Sequence, residues 1–410
     1  MKTTTLSVIP GWVISACCSS SCAHAFVIGQ TKAPTRTRAE ASVSHAGSFH
    51  RRLLSSHIGE PTATTNLYAK EISADLDSIK SSIPIAIERY EYDGWDLTYR
   101  YRPASPGHED EEPLVLVHPV GIGCSSWIWT KMMEQWNGGA IYAPNLIGCG
   151  LEDGNDAWDP DTRGLSVPLG WVTAVEALIQ ERVLAPSPTS RSIDTRNGKD
   201  AGGGGILNKL LMGKSSNSGP ASCTVVVQGG SAPIGVLLAS RNPSVISHLV
   251  LTSPPTWEDM TTATPEEELA KNYNFYRSFW GKLAFGVLES RWAVRLFSNL
   301  FLFLEECDDL WVDLSTSEEA TTVEARPPVA IFNSGFLQHR SYEEELCQII
   351  QQRTLIISGS GDKRAEKRIE YGSEMKRCTL KALRGTNVLP WEAPNLVCDA
   401  IQSFRQETRI

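Results

Sequence analysis

Chemistry in this chain would start at Ser231. The stretch Thr224 to Gly235 reads T-V-V-V-Q-G-G-S-A-P-I-G, with a β-branched run, two glycines, a serine and then a helix-compatible segment from Ala232 to Ser240. That order predicts a strand, a sharp turn and a helix, with the hydroxyl on the turn. Such a hydroxyl attacks an acyl carbon when a base takes its proton and backbone N–H groups stabilise the oxyanion that develops. Gly229 and Gly230 let strand and helix approach closely. Pro233 suits the first helical turn, where its missing N–H would have had no partner. Asp362 closes the run I-I-S-G-S-G-D after a late apolar strand. Histidines available as base are His108, His118, His248 and His339, the others falling within the first 57 residues.

The elements that must position these groups alternate along the chain. Ile87 to Tyr92 and Trp95 to Tyr101, joined by Asp93-Gly94, predict a hairpin. Leu114–Val117, Ala140–Ala143, Val225–Val227, Ser247–Thr252, Thr354–Ile357 and Cys378–Leu383 are short apolar runs separated by helical patterns, the strongest from Val167 to Val183. Strands alternating with helices predict an α/β fold with a doubly wound, mostly parallel sheet. Thr256 to Arg353 is helical and aromatic-rich without strand pattern, the size and place of a helical cap over the sheet's C-terminal edge.

These stretches resemble the α/β-hydrolase superfamily. V-Q-G-G-S-A-P resembles its nucleophile elbow, G-x-S-x-G, with Pro233 where the last glycine stands. H-P-V-G-I-G (His118 to Gly123) resembles the loop that completes the oxyanion hole, with Pro119 in place of a glycine. N-L-I-G-C-G (Asn145 to Gly150) resembles a structural turn after the next strand. The resemblance implies Ser231 as nucleophile, Val120 and Ala232 as oxyanion donors and Asp362 as acid. It places the histidine before the final helix, where this chain reads R-G-T-N-V-L-P-W-E-A-P and Asn387 takes its position. Asparagine has no pKa near neutrality and cannot act as general base. His339 and His118 are the candidate substitutes, while Cys124 and Cys149 read as buried thiols. Lys363 and Arg364 adjoin Asp362 and would pair with it if it is structural. H-P-V-G-I-G with N-V-L-P-W-E is also similar to a plastid and cyanobacterial branch of the superfamily without an orthodox triad.

Composition narrows the partners. With a net charge of −9 over 410 residues, a nucleic-acid partner is not expected. No apolar run reaches the ~18 residues of a membrane span. Ten cysteines without a C-x-x-C pair indicate neither a zinc site nor a disulfide framework, and no cofactor is expected. Residues 1–25, ending Ala23-His24-Ala25, fit a signal peptide, and 26–75, rich in Ser, Thr, Arg and His from Phe26 on, fit a transit peptide. Together they resemble the two-part presequence of algae with red-type plastids. The core is expected over 83–255, with a disordered insertion at 186–221, and again over 354–406, the cap lying at 256–353.

Two functions stay open. One is a serine hydrolase of a carboxylic ester or acyl, lipid-like small molecule. The other is a catalytically inactive ligand-binding or scaffold protein, its aromatic cap (Trp257, Tyr273, Phe275, Trp280, Trp292) lying over an apolar pocket. A histidine on Ser231 would favour the first. A Ser231 hydroxyl bonded only to backbone, or a pocket filled by Trp391, would favour the second.

Overall fold

The computed structural model describes residues 83–185 and 220–407. The presequence and most of the expected insertion lie outside them.

β1 (Ala86–Tyr92) and β2 (Trp95–Arg102) pair antiparallel through a two-residue turn. Asp93 and Gly94 both take positive φ, 48° and 71°, which matches the twist of a tight hairpin. Six further strands follow: β3 (Leu114–Val117), β4 (Ile141–Pro144), β5 (Cys223–Gln228), β6 (Ile246–Thr252), β7 (Arg353–Gly359) and β8 (Cys378–Leu383). They form one eight-stranded sheet in the order β1-β2-β4-β3-β5-β6-β7-β8. The β2–β4 pairing is antiparallel, and every pairing from β4 to β8 is parallel.

The central strands are apolar on both faces because helices cover both. Val115, Val117, Val225, Val227, Leu249 and Leu251 enter one core with the helices Leu169–Leu178 and Ala232–Arg241. Their neighbours Leu114, Leu116, Val226, Val250 and Leu355 enter the other, with Thr130–Gln135 and Pro394–Gln406. This period-two division buries each such side chain fully, contributing about 1.5–3 kcal/mol apiece.

From β3 the chain steps outward to β4, then returns across β3 to β5. That reversal falls at the carboxyl ends of β3 and β5, the place where ligands bind in open α/β sheets. Between β6 and β7 lie helices Trp257–Thr261, Glu266–Arg277, Phe279–Leu288, Arg291–Phe297, Asp309–Ser315 and Arg326–Asn333, as the aromatic, strand-free pattern predicts.

Candidate active site

The turn after β5 is built from glycine. Gly229 follows the last strand residue directly and has φ 62°, the only left-handed residue of the turn. A Cβ placed on it would meet only Pro119 Cβ, at 3.8 Å, so a side chain there would face the loop after β3. Gly230 comes next, and a Cβ there would lie 2.4 Å from the ring of Phe332, on cap helix Arg326–Asn333. Ser231 is only the third residue. It has relaxed backbone angles (φ −79°, ψ 2°), is fully buried, and its Oγ has no hydrogen-bond partner among the described residues. The N–H of Ala232 donates to Gly229 O within the turn. It is therefore engaged, contrary to its expected role as an oxyanion donor. Val120 does lie in the loop after β3, its side chain packed in the same core as Ala232 and Phe332.

Beside the turn is a closed polar network. Gln228 Nε2 donates to the Asn387 carbonyl at 2.8 Å, and Thr252 Oγ1 donates to Gln228 Oε1 at 2.6 Å. Asn387 is itself buried, and its N–H donates to Leu302 O of the cap segment at 3.0 Å. Asp362 lies after β7 in a salt bridge with Arg368, Nη1 to Oδ2 at 2.7 Å, both side chains buried. Its other oxygen accepts the Arg364 N–H at 2.9 Å. Lys363 and Arg364 were the expected partners; the described salt bridge is with Arg368, whose guanidinium also donates to the carbonyls of Ser253 and Pro254. This carboxylate fixes a loop rather than an imidazole.

The substitute bases are elsewhere. His118 Nε2 accepts the Leu146 N–H at 3.0 Å, so its Nδ1 carries the hydrogen and donates to Pro119 O at 2.8 Å. Complete burial lowers its pKa from 6.5 to about 4. It is a neutral strut between two loops, its lone pair committed. His339 is exposed and bonded through Nδ1 to Phe336 O. His248 lies at the start of β6, 3.6 Å from Glu112, and His108 is paired with Glu111. None of the four touches Ser231 Oγ.

The cap sits directly on these loops. A Cβ on Gly123 would fall 2.0 Å from the Ser315 carbonyl oxygen, so the loop after β3 touches cap backbone. Trp127, Trp311 and Trp391 pack edge to face with centroids 5.0–5.6 Å apart, joining loop, cap and final segment. Trp391 fills this cluster and not a pocket over Ser231. Of the cap aromatics, Trp257, Tyr273 and Phe275 pack against core clusters. Trp280 and Trp292 are 60% and 63% exposed.

No family model matches the sequence, nor does any curated protein. Solved structures do. A membrane phospholipase A described as a bacterial virulence factor superposes with TM-score 0.53 at 15% identity, over 84% of this chain and 93% of that one. Haloalkane dehalogenase DbeA from Bradyrhizobium elkani gives 0.51 at 17%, over 79% and 100%. A thioesterase domain from the curacin biosynthetic pathway gives 0.51 at 16%, over 78% and 99%. The chain has the α/β-hydrolase fold. In that fold the nucleophile sits on the strained strand-to-helix turn. Here Gly229 is the residue of that turn with positive φ, and Ser231 falls two residues later. This register also accounts for Pro233, which is then simply helical. Val227 fills the place of the first small residue, and Gly235 on the facing helix yields the room, its Cβ position being 2.4 Å from Val227 Cγ2. Sequence reading missed Gly229, Gln228 and Arg368.

Proposed function

We propose that this α/β-hydrolase-fold protein is non-hydrolytic and acts as a binding or scaffold protein. Gly229 at the tip of the elbow carries the reading, because glycine offers no nucleophile. Asn387 in the histidine's position and an Asp362 held by Arg368 support it. Nucleophile, base and free acid are each missing from the place where the mechanism needs them. The network of Gln228, Thr252 and Asn387 satisfies itself, as a structural core does. A small apolar or ester ligand remains the chemistry suited to such a fold. The serine-hydrolase reading keeps one point in its favour, the unpartnered Ser231 hydroxyl. Its burial and the absence of a base beside it weigh against attack. A plastid address is part of the proposal and rests on the Ala23-His24-Ala25-Phe26 junction and the Ser/Thr/Arg-rich tail. Expression of residues 1–75 fused to a fluorescent protein in an alga with red-type plastids tests it.

Hydrolysis of p-nitrophenyl acetate and butyrate by the purified protein tests the central reading. The expected rate is that of a folded control protein, unchanged by Ser231→Ala. Saturable turnover abolished by Ser231→Ala would overturn it.

A further inference from the structure

Two successive cap helices turn large apolar side chains outward. Phe279, Trp280 and Leu283 on Phe279–Leu288 are 74%, 60% and 53% exposed, and Trp292, Leu296 and Leu300 on the segment from Arg291 to Leu302 are similarly bare. The spacing is i, i+4 on the first helix (Phe279, Leu283) and i, i+4, i+8 on the second (Trp292, Leu296, Leu300), so each helix presents a stripe. Core packing explains their opposite faces: Phe285 is buried on the first and Ala293 and Val294 on the second. It leaves the outer stripes unexplained, since monomeric proteins rarely expose contiguous apolar patches of this kind.

We infer that this cap face docks peripherally on a bilayer surface bearing anionic headgroups. Charge selects that occupant. Between Tyr276 and Leu304 the ionisable residues are Arg277, Lys282, Glu289, Arg291 and Arg295, in a chain whose net charge is −9. Within that stretch the one acid, Glu289, pairs with Arg326 through both oxygens, while Glu306 and Asp309, just beyond it, stand beside Arg295. Lys282, one turn from Phe279, has no ion-pair partner among the described residues. Arg277, Arg291 and Arg295 meet Asp161, Asp313 and Asp309 in exposed pairs, which contribute little. Tryptophan with an apolar body and a polar N–H suits the headgroup boundary. Basic residues flanking an apolar stripe on short helices are the pattern of an interfacial helix. No helix among the described residues is long and apolar enough to cross a membrane, so the contact lies in the interface plane. This inference is independent of whether the elbow is active.

Flotation of the purified protein with vesicles of phosphatidylcholine alone, or with added phosphatidylglycerol, tests it. Binding to the anionic vesicles is expected, weakening with salt, and falling roughly tenfold or more in Trp280→Ser/Trp292→Ser. Lys282→Glu should weaken it further. Near-UV circular dichroism checks that the variants stay folded. No binding to either vesicle, equal binding to both, or equal binding by the tryptophan variant would overturn the inference. So would a salt-insensitive dimer abolished by the same substitutions.

Discussion

The elbow corner and the outer cap face break opposite rules. At the corner, polar groups are shut away from water: Ser231 and Gln228 are at most 1% exposed, and Asp362 and Arg368 are paired beneath the loops. On the cap, apolar groups are left in water, Phe279 at 74%. An active site of this fold needs reachable polar groups, and a stable cap needs covered apolar ones. On the proposed reading the corner serves as structure and the cap face as the working surface.

The largest effect is expected from Arg368→Ala, which strands the buried Asp362 carboxylate. A loss of about 3–5 kcal/mol in urea unfolding should follow, with partial recovery on adding Asp362→Ala. A loss under about 1 kcal/mol would break the view of the corner as structure. Acid should sharpen it next. His118 has a folded pKa near 4 and an ordinary value of 6.5, so the unfolded chain takes up a proton first as pH falls. Stability is then full above pH 6.5 and declines towards pH 4, by roughly 3 kcal/mol at most. His118→Gln, which can still accept the Leu146 N–H, should flatten that limb. Glu112 acts lower: burial opposes its charge, but hydrogen bonds from His248, Ser222, Ser247 and Thr224 prevail and hold it at about 2, so its contribution disappears only between about pH 4.5 and 2.

The two glycines should separate. Gly230→Ala drives a methyl into Phe332 and should cost about 1–3 kcal/mol, partly relieved by Phe332→Leu. Gly229→Ala has room and meets only the left-handed strain, about 1–2 kcal/mol, which Phe332→Leu should not relieve. Smallest is Trp280→Ser/Trp292→Ser, expected within about 0.5 kcal/mol in thermal unfolding because both side chains are exposed. A larger loss would mean the stripes are core after all.

The fold was legible because its signals are local. β-branched runs mark β5, Asp-Gly marks the hairpin, and an aromatic, strand-free stretch marks the cap. The expectation that Asn387 takes the histidine's place came from Glu392-Ala393-Pro394, where a substitution within a motif shows in sequence, and it remains part of the proposal. Which residue caps the turn could not be read from G-G-S, because two registers place a small residue on either side of a tip. Only the φ of Gly229 and the burial of Ser231 separate them. Arg368 was missed for a different reason. It lies six residues from Asp362, and the turn of chain that brings them together is not written in either residue. Trp280 and Trp292 read as cap aromatics over an apolar pocket because composition shows aromatic content and not its direction.

Labelling with a fluorophosphonate, the modified residue mapped by mass spectrometry, tests the central claim most directly. With Gly229 at the tip, the folded wild-type protein should remain unlabelled, and Gly229→Ser/Asn387→His should acquire label at position 229. Stoichiometric labelling of Ser231 in the wild type, lost in Ser231→Ala, would contradict it.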